Sequence, residues 1–322
     1  MRARPDMTRM GRRLLVAATI GCAAAIVATV APAQAPQTTF DLCAKTGTID
    51  LPGDPGISIW GFALKPAGID CSDNSVVATL PGPELIAQPG VQVTVNVTNA
   101  LDREMSFEVP GLSVDQGAAP IAPGATKAYT FTAARGTYLY RSAGDAGRQA
   151  AMGLHGALVV RPPEPDPPAQ AQAYGDASSA YDSDAILVLS EIDPRLNADP
   201  LGFNLLDWAP TYWLINGKAH PDTADITGAP GSTLLLRWVS AGPETVTMTM
   251  ANGRAKQIAQ DAEPLANPFS VVADTLPAGS TADALVTIPP AGERIALYNR
   301  QMHLVNGTGD PALGGMLTWI HG

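Results

Sequence analysis

The side chains that most often bind metals or transfer protons are few in this chain and widely separated. Transition-metal sites need imidazole or thiolate ligands that converge on one point. The sequence has no His-x-His or His-x-x-x-His pair, and its four histidines lie in different segments: His155, His220, His303 and His321. His303, close in sequence to Met302 and Met316, is the one weak candidate for a single metal ligand. The alternative is a histidine on the polar face of a strand.

Other catalytic patterns are equally sparse. The sequence has no Gly-x-Ser-x-Gly elbow and no glycine-rich phosphate loop. Glu191 and Asp193 have the spacing of two side chains on one face of a strand, as a pair of glycosidase carboxylates would. Solvated acids at the end of a strand explain the same spacing. No catalytic residue is therefore assigned.

Two stretches share one pattern, and they indicate the elements that position any site. They are residues 136–160 and residues 296–320. In both, a Leu-Tyr pair precedes a polar residue, and the tyrosine lies 16 positions before a glycine in the first copy and 17 in the second. A Pro-Gly turn opens an alternating strand upstream of each copy, at Pro89-Gly90 and at Pro230-Gly231. Two copies of one β-rich unit are predicted.

The predicted units are all-β domains. Residues 91–97 alternate between apolar and polar side chains, which is typical of a half-buried strand. Short strands at close spacing, separated by Gly/Pro turns, indicate β-sandwiches. We place the two domains at residues 34–162 and 184–322. The Pro/Ala-rich residues 163–183 are predicted to be an interdomain linker, stiff in its first half and more flexible in its second.

The N-terminus predicts export. Five arginines precede an Ala-rich apolar run, and Ala31-Pro-Ala33 supplies small residues for cleavage, so residues 1–33 are predicted to be a bacterial-type signal peptide. Arg12-Arg13 is compatible with a twin-arginine signal, and general secretion fits equally well. An uncleaved anchor is the minority alternative. We expect a periplasmic or secreted protein with no transmembrane segment after cleavage.

The charge balance bears on partners. Residues 1–33 contain five Arg and one Asp, so the mature chain has 20 − 5 = 15 basic and 30 − 1 = 29 acidic residues, a net charge of −14. Such a balance argues against nucleic acid and anionic lipid as partners. The remaining candidates for a partner are a protein of unknown identity and a second copy of this chain.

Two cysteines remain after the predicted cleavage, Cys43 and Cys71. In an exported chain an isolated pair indicates a disulfide. The alternative is a thiolate metal ligand, which needs histidines nearby, and no histidine lies close to either cysteine in the sequence.

Three segments carry a family resemblance. GTYLY…MGLHGALVV resembles the end of the first domain of multicopper oxidases, and PGPELIAQPGVQVTVNVTNAL resembles the start of that domain. YWLINGKAHPDTADITGAPG resembles the opening of a second cupredoxin domain. The resemblance covers nearly all of the chain after residue 40. It implies two tandem cupredoxin-like Greek-key β-sandwich domains and, for the family, copper-dependent oxidation.

The positions at which the family has copper ligands carry other residues here. The first His-x-His position reads Glu108-Val-Pro110, and the second reads Arg141-Ser-Ala143. The His-Cys-His position near the C-terminus reads Asn299-Arg300-Gln301. From these residues we expect no blue-copper centre, no three-copper centre and no cofactor, with copper as the alternative.

Two functions follow from the resemblance. The first is a copper-free binding or structural protein, similar to the copper-free multicopper-oxidase-like proteins linked to cell division. The second is a copper-binding, laccase-like oxidoreductase with atypical ligands. The histidine count favours the first.

The resemblance also makes a local expectation. In the family the two His-x-His motifs of the first domain point at the same metal cluster. Glu108 and Arg141 stand at these motifs, so an ion pair is expected where the histidines would meet. The alternative is that both side chains point into solvent.

Overall fold

The computed structural model describes residues 35–115, 119–163, 170–307 and 312–322. The predicted signal peptide, residues 1–33, lies outside the described residues. Within the described ranges no helix is long and apolar enough to cross a membrane.

The first half of the chain folds as a sandwich of two sheets. One sheet has the order β2-β1-β4-β5, and the facing sheet has the order β3-β7-β6. A short helix, α1 (Arg148–Ala151), connects β6 to β7. The strands are β1 (Thr39–Leu51), β2 (Asp54–Leu64), β3 (Leu85–Ala87), β4 (Gln92–Asn99), β5 (Thr126–Thr132), β6 (Gly136–Arg141) and β7 (His155–Val160).

Alternation along the strands builds the core of this sandwich. Val93, Val95 and Val97 of β4 are buried, while the residues between them are partly exposed. This pattern is the one that the sequence predicts for a strand with one face in the core. β7 is buried along its whole length, because its outer face is covered by the second half of the chain.

The second half forms a larger sandwich, with sheets of order β11-β10-β13-β18-β15-β16 and β12-β20-β19-β14-β17. The helix α2 (Pro194–Ala198) starts at Asp193, whose side chain accepts a hydrogen bond from the Arg195 N–H. The strands are β8 (Ala171–Gln172), β9 (Ala180–Tyr181), β10 (Ser183–Ile192), β11 (Tyr212–Ile215), β12 (Ile226–Thr227), β13 (Thr233–Ser240), β14 (Val246–Ala251), β15 (Ala255–Gln260), β16 (Glu263–Val271), β17 (Ala273–Leu276), β18 (Thr281–Thr287), β19 (Arg294–Asn299) and β20 (Leu317–His321).

The predicted fold class is confirmed: the chain is all-β, with two tandem cupredoxin-like sandwiches, each with its own large apolar core. The exact domain limits, 34–162 and 184–322, stay predictions. The predicted flexibility of the second half of the linker is wrong. β8 pairs with β9, and Ala173 and Tyr181 pack on Leu235 and Ile258 of the second sandwich. Burial of these apolar groups orders the segment.

The two sandwiches pack directly on each other. Leu139 of β6 and Ala157 of β7 contact Val188 of β10 and Val239 of β13 in a buried cluster. The outer faces of β6 and β7 and those of β10 and β13 are apolar where they meet. These strands are therefore covered on their inner faces by their own sandwich and on their outer faces by the other one. This explains why β6, β7, β10 and β13 are rich in apolar residues without strict alternation.

A buried ionic network lies in the same interface. The Arg237 side chain on β13 is only 1% exposed. Its Nε donates to Asp184 Oδ2 at 2.7 Å, and its Nη1 lies 3.7 Å from Asp283 Oδ2. Burial alone would lower the pKa of Arg237, but Asp283 and Asp184 outweigh burial and raise that pKa. The guanidinium therefore stays charged inside the protein.

Both domains and the linker contribute to this network. Thr137 of β6 donates to Asp283 Oδ1 at 2.6 Å and accepts from Arg237 at 3.2 Å. Tyr174, in the linker, donates to Asp283 Oδ2 at 2.6 Å. Since a buried charge is stable only when it is paired and hydrogen-bonded, these contacts fix how the two sandwiches and the linker meet.

Cys43 and Cys71 form a disulfide, as predicted, with their Cα atoms 5.7 Å apart. The bridge joins β1 to the loop after β2 and is buried with Ala63 and Val76. It therefore fixes the loop after β2 against β1.

Removing the disulfide is expected to destabilise the first sandwich. Closing a loop with 28 residues of sequence separation restricts the unfolded chain, and the Cys43→Ala/Cys71→Ala variant should lose about 3 kcal/mol of unfolding free energy in urea. Thiol labelling of the unreduced, denatured mature protein should find no free cysteine. Labelling of both cysteines would contradict the bridge.

Candidate functional site

Glu108 and Arg141 form the predicted ion pair. Arg141 Nε lies 2.7 Å from Glu108 Oε1. The backbones of the same two residues also pair: Glu108 N–H donates to the Arg141 carbonyl at 2.9 Å, and Arg141 N–H donates to the Glu108 carbonyl at 3.0 Å. The alternative, with both side chains directed into solvent, is therefore wrong.

Aromatic packing on the opposite face positions this pair. Phe107 and Tyr140 are both fully buried, and their rings stack with centroids 5.7 Å apart. The Tyr140 hydroxyl donates to the Pro83 carbonyl at 2.6 Å. Because neighbouring side chains on an extended backbone point to opposite faces, the anchoring of Phe107 and Tyr140 turns Glu108 and Arg141 outward together.

The pair lies at the rim of the interface between the two domains. The Arg141 and Glu108 side chains are 35% and 26% exposed, so water reaches both. Gly279, in the turn before β18, has a φ of +81°, and a Cβ there would lie 3.3 Å from Arg141 Nη1. The guanidinium therefore reaches the second domain as well as Glu108.

Hydrogen bonds also connect Ser106, which lies two residues before Glu108, to Ser142 and Ala143, which follow Arg141. Ser106 N–H donates to Ser142 Oγ at 3.2 Å, and Ala143 N–H donates to Ser106 Oγ at 3.1 Å. Ser142 Oγ also donates to Gln149 Oε1 at 2.6 Å. Ala143 stands at a position where the family resemblance expects a copper ligand, and it borders a cavity of about 370 Å³. Pro110, the remaining first-domain position, is partly exposed.

The three C-terminal positions join strands. Asn299 is buried, and its Oδ1 accepts from the Gln301 N–H at 2.8 Å. The Gln301 side chain accepts from Thr247 N–H at 2.9 Å and donates to the Thr245 carbonyl at 2.9 Å. Arg300 N–H donates to the Thr247 carbonyl at 2.8 Å. These positions connect the end of β19 to the start of β14.

The side chains at these positions do not fit a copper ion. Copper in proteins prefers imidazole, thiolate and thioether donors, and the two first-domain motifs offer a carboxylate bonded to a guanidinium, a proline and an alanine. In the described ranges no group of three or more His, Cys, Asp or Glu side chains is arranged to hold a metal.

The four histidines do not converge in the described structure. His155 is buried, and its Nδ1 bonds the Ala150 carbonyl at 2.9 Å. Burial lowers the pKa of His155 to about 4, so the imidazole is neutral. His321 lies 3.4 Å from Asp225, and the His220 backbone bonds Gly315.

His303, the weak candidate, stacks on Trp213 with ring centroids 4.2 Å apart. Its Nδ1 is buried without a hydrogen-bond partner among the described residues. Met302 is 65% exposed, whereas Met316 is fully buried. The structure thus places His303 against an aromatic ring at the edge of the second sandwich, and its role as a ligand stays a prediction.

The acids Glu191 and Asp193 are buried, so their interpretation as solvated acids is wrong. Asp193 forms a bond of 2.6 Å with Arg195. Glu191 Oε2 has no hydrogen-bond partner among the described residues. Burial, with a smaller contribution from the charge of Glu244, raises the pKa of Glu191 to about 8. Glu191 is therefore a neutral acid at neutral pH, and no pattern in the sequence indicates its burial.

Comparison with known proteins supports one family. The multicopper oxidase family profile matches residues 70–165. The chain is 28% identical to Putative laccase-11 of Oryza sativa subsp. japonica over 66% of this chain and 42% of that protein. It is 34% identical to Copper resistance protein A of Pseudomonas syringae pv. tomato, over 35% of this chain and 18% of that protein. The chain thus matches less than half the length of these relatives.

Solved structures give the same fold. Blue Copper Oxidase from Nitrosomonas europaea superposes with a TM-score of 0.73 at 23% identity, covering 88% of this chain and 85% of that one. Multicopper Oxidase mgLAC superposes with a TM-score of 0.71 over the same shares. The chain is therefore similar to multicopper oxidases over residues 70–165, and its two sandwiches share the cupredoxin-like fold of these structures.

The comparisons correct one expectation. The prediction of no cofactor is wrong, because the proteins that the chain resembles are named as copper proteins and oxidases. The error came from extending the chemistry of three short motifs to the whole chain. Those motifs do not decide what other side chains bind.

Replacing Glu108 and Arg141 singly and together should reveal a small coupling energy between the two side chains. The pair is partly exposed, so a double-mutant cycle of Glu108→Ala and Arg141→Ala, followed by urea unfolding, should give about 1 kcal/mol. A cycle of Arg141→Ala with the exposed, distant Glu293→Ala should give none. A coupling energy near zero for Glu108 and Arg141 would show that the contact does not stabilise the fold.

Glu191→Gln should stabilise the protein in alkali. The pKa of Glu191 is about 8 in the folded protein and roughly 4.3 in an unfolded chain. Its contribution to stability is therefore complete below the unfolded value and is lost as the pH rises through about 8. Between about pH 5 and pH 9, the advantage of Glu191→Gln over the parent protein should grow by roughly 4 kcal/mol. Glu293→Gln, at an exposed site, is the control, and parallel profiles for Glu191→Gln and the parent would contradict the burial argument.

Proposed function

We propose that this protein is an exported member of the multicopper oxidase family that acts by binding a partner rather than by oxidising a substrate. In this proposal the first-domain ligand positions have a structural use. The observation that carries it is the Glu108–Arg141 ion pair, 2.7 Å long, at the two His-x-His positions.

Charge supports this reading. The four positions of these two motifs include one carboxylate, that of Glu108, and Arg141 Nε already donates to it. A metal cation bound there would have to displace the Arg141 guanidinium. Arginine stays protonated in proteins and cannot donate a lone pair to a metal. Like charges at this distance repel, so Arg141 opposes a cation at the place where the family has its ligands.

Copper is the metal in the names of the similar proteins, Copper resistance protein A and Blue Copper Oxidase, and it is therefore the metal to consider for this chain. When bound in the family's way it supplies electron transfer from substrate to oxygen. In our proposal the motif positions of this chain hold strands together instead, and the oxidation step has no residues of this chain assigned to it.

Export is supported by the buried disulfide, because such bridges form in oxidising compartments. It is also supported by the predicted signal peptide at residues 1–33. A periplasmic or extracellular location follows. The partner in this proposal is another protein or a second copy of the chain, since the mature chain is strongly acidic.

An oxygen-consumption assay tests the proposal. The mature protein is supplied with Cu(II), desalted, and mixed with a phenolic substrate in an oxygen electrode cell. We expect no oxygen uptake above that of free Cu(II) at the concentration measured in the sample, because the Arg141 guanidinium has no lone pair to offer a copper ion.

A laccase from the same family, treated identically, is the positive control. Saturable, phenol-dependent oxygen uptake by this protein would overturn the proposal. The Arg141→Ala variant adds a second criterion: if its activity equals that of the parent, any residual uptake does not arise at this position.

A further inference from the structure

A cavity of about 370 Å³ adjoins the first-domain ligand positions. It lies at the end of β6, between the segment before Ser106 and the loop that follows Ala143. Its volume is at the lower end of the range for small-ligand pockets, roughly 300–1,000 Å³. A side chain as small as alanine at position 143 leaves this space open.

A fixed cation lines the cavity. The Arg103 guanidinium lies over the Trp60 ring at 4.4 Å, and its Nε and Nη2 donate to Asp102 Oδ1 at 3.0 and 2.8 Å. Neither Trp60 nor Asp102 is among the lining residues. Because these bonds use Nε and one N–H of Nη2, the Nη1 hydrogens remain available for a ligand.

A fixed anion lines the same cavity. One Asp145 carboxylate oxygen, Oδ2, bonds Arg148 Nε at 3.0 Å, which leaves Oδ1 as an acceptor. Arg148 is itself held by the Pro200 and Phe203 carbonyls at 2.5 and 3.0 Å. Arg103 and Asp145 are each paired with a neighbour outside the cavity lining, Asp102 and Arg148, and each keeps hydrogen-bonding atoms free for a ligand, Nη1 of Arg103 and Oδ1 of Asp145.

The lining also supplies a buried hydroxyl and a strained loop. Ser106 is only 4% exposed, and its Oγ accepts from the Ala143 N–H, so its own hydrogen is left to donate. Asp145 and Ala146 have φ values of +55° and +50°, which L-residues seldom adopt. Backbone strain of this kind persists where the surroundings enforce it, and it concentrates at ligand sites.

We propose that this cavity binds a small zwitterion of the α-amino-acid class. The ligand carboxylate accepts from Arg103 and Ser106, and the ligand ammonium donates to Asp145. This proposal goes beyond the proposed function, because it adds a small-molecule site to a chain whose proposed partner is another protein or a second copy. The cavity then replaces metal chemistry with charge recognition at the same end of the domain.

The balance of charge selects a zwitterion over a simple ion. A bare anion would meet Asp145 and the exposed Glu104 in the same lining, in a chain that is acidic overall. A bare cation would meet Arg103. A ligand with both charges satisfies both groups, and like-charge contact is costly when a site excludes water.

Three matched probes test the proposal by isothermal titration calorimetry of the mature protein near neutral pH. L-Alanine carries both charges, propionate lacks the ammonium, and ethylamine lacks the carboxylate. We expect L-alanine to bind with one site per chain. Propionate and ethylamine should each bind at least about tenfold more weakly, the factor that corresponds to one lost charge-assisted hydrogen bond.

Variants locate the site. Arg103→Gln and Asp145→Asn should each weaken L-alanine binding by about tenfold or more. Asparagine tolerates a positive φ, so Asp145→Asn preserves the loop. Ala143→Leu should abolish binding by filling the cavity. The controls Arg254→Gln, Asp222→Asn and Ala134→Leu change exposed residues elsewhere and should bind L-alanine as the parent does.

The outcomes separate the two proposals. No heat with L-alanine at millimolar concentration, equal affinity for propionate or ethylamine, or unchanged binding by folded Arg103→Gln and Asp145→Asn variants would overturn the zwitterion site alone. Thermal unfolding of each variant confirms that it is folded. The oxygen-consumption assay tests the proposed absence of oxidase activity independently, because it involves none of these probes.

Discussion

The arrangement of the two domains depends on one buried charge. Arg237 lies in the middle of a strand whose neighbours are apolar, and its guanidinium has almost no contact with solvent. The desolvation of an ion costs several kcal/mol unless partners compensate it. Here the charged partners, Asp184 and Asp283, belong to the second sandwich, and two hydroxyls complete the set: Thr137 from the first sandwich and Tyr181 from the linker. The hydroxyls tie the first sandwich and the linker to the charge, so the network favours one relative placement of these three parts.

The positions that the family resemblance aligns with copper ligands show the same principle at smaller scale. In each of these three motifs a polar side chain forms a hydrogen bond or an ion pair with a neighbouring segment. Strand ends in a sandwich leave backbone groups without ladder partners, and Gln301 satisfies two of them at Thr245 and Thr247. The fold therefore does not need a metal ion to hold these loops together.

The sequence predicted the fold class, the disulfide and the Glu108–Arg141 contact because each follows from a local pattern. Alternation in β4 predicts a strand, and the family motifs bring the two charged residues to one place. It did not predict the interdomain network, since partners such as Thr137 and Asp283 lie 146 positions apart. One signal was nevertheless present. Arg237 lies between the apolar residues Leu234-Leu235-Leu236 and Trp238-Val239, and a charge inside an apolar strand requires a partner.

The rest of the candidate site was beyond local patterns. The cavity is bordered by a loop in which Asp145 and Ala146 have positive φ values, and no local sequence pattern predicts a cavity there. The burial of Glu191 depends on Gly242, whose missing side chain leaves room for the carboxyl group. Both features arise from packing between segments that are distant in sequence.

The long separation between Thr137 and Asp283 has a consequence for the order of assembly during synthesis. β6 leaves the ribosome well before β18, so the first sandwich can form its own sheets while Thr137 still bonds to water. Contacts of large sequence separation form late because they require loop closure over many residues. Arg237 and Asp283 must then lose their hydration in the same event that joins the sandwiches. From this separation we expect the docking of the two domains to be the final step of folding and the linker tyrosines to become ordered with it.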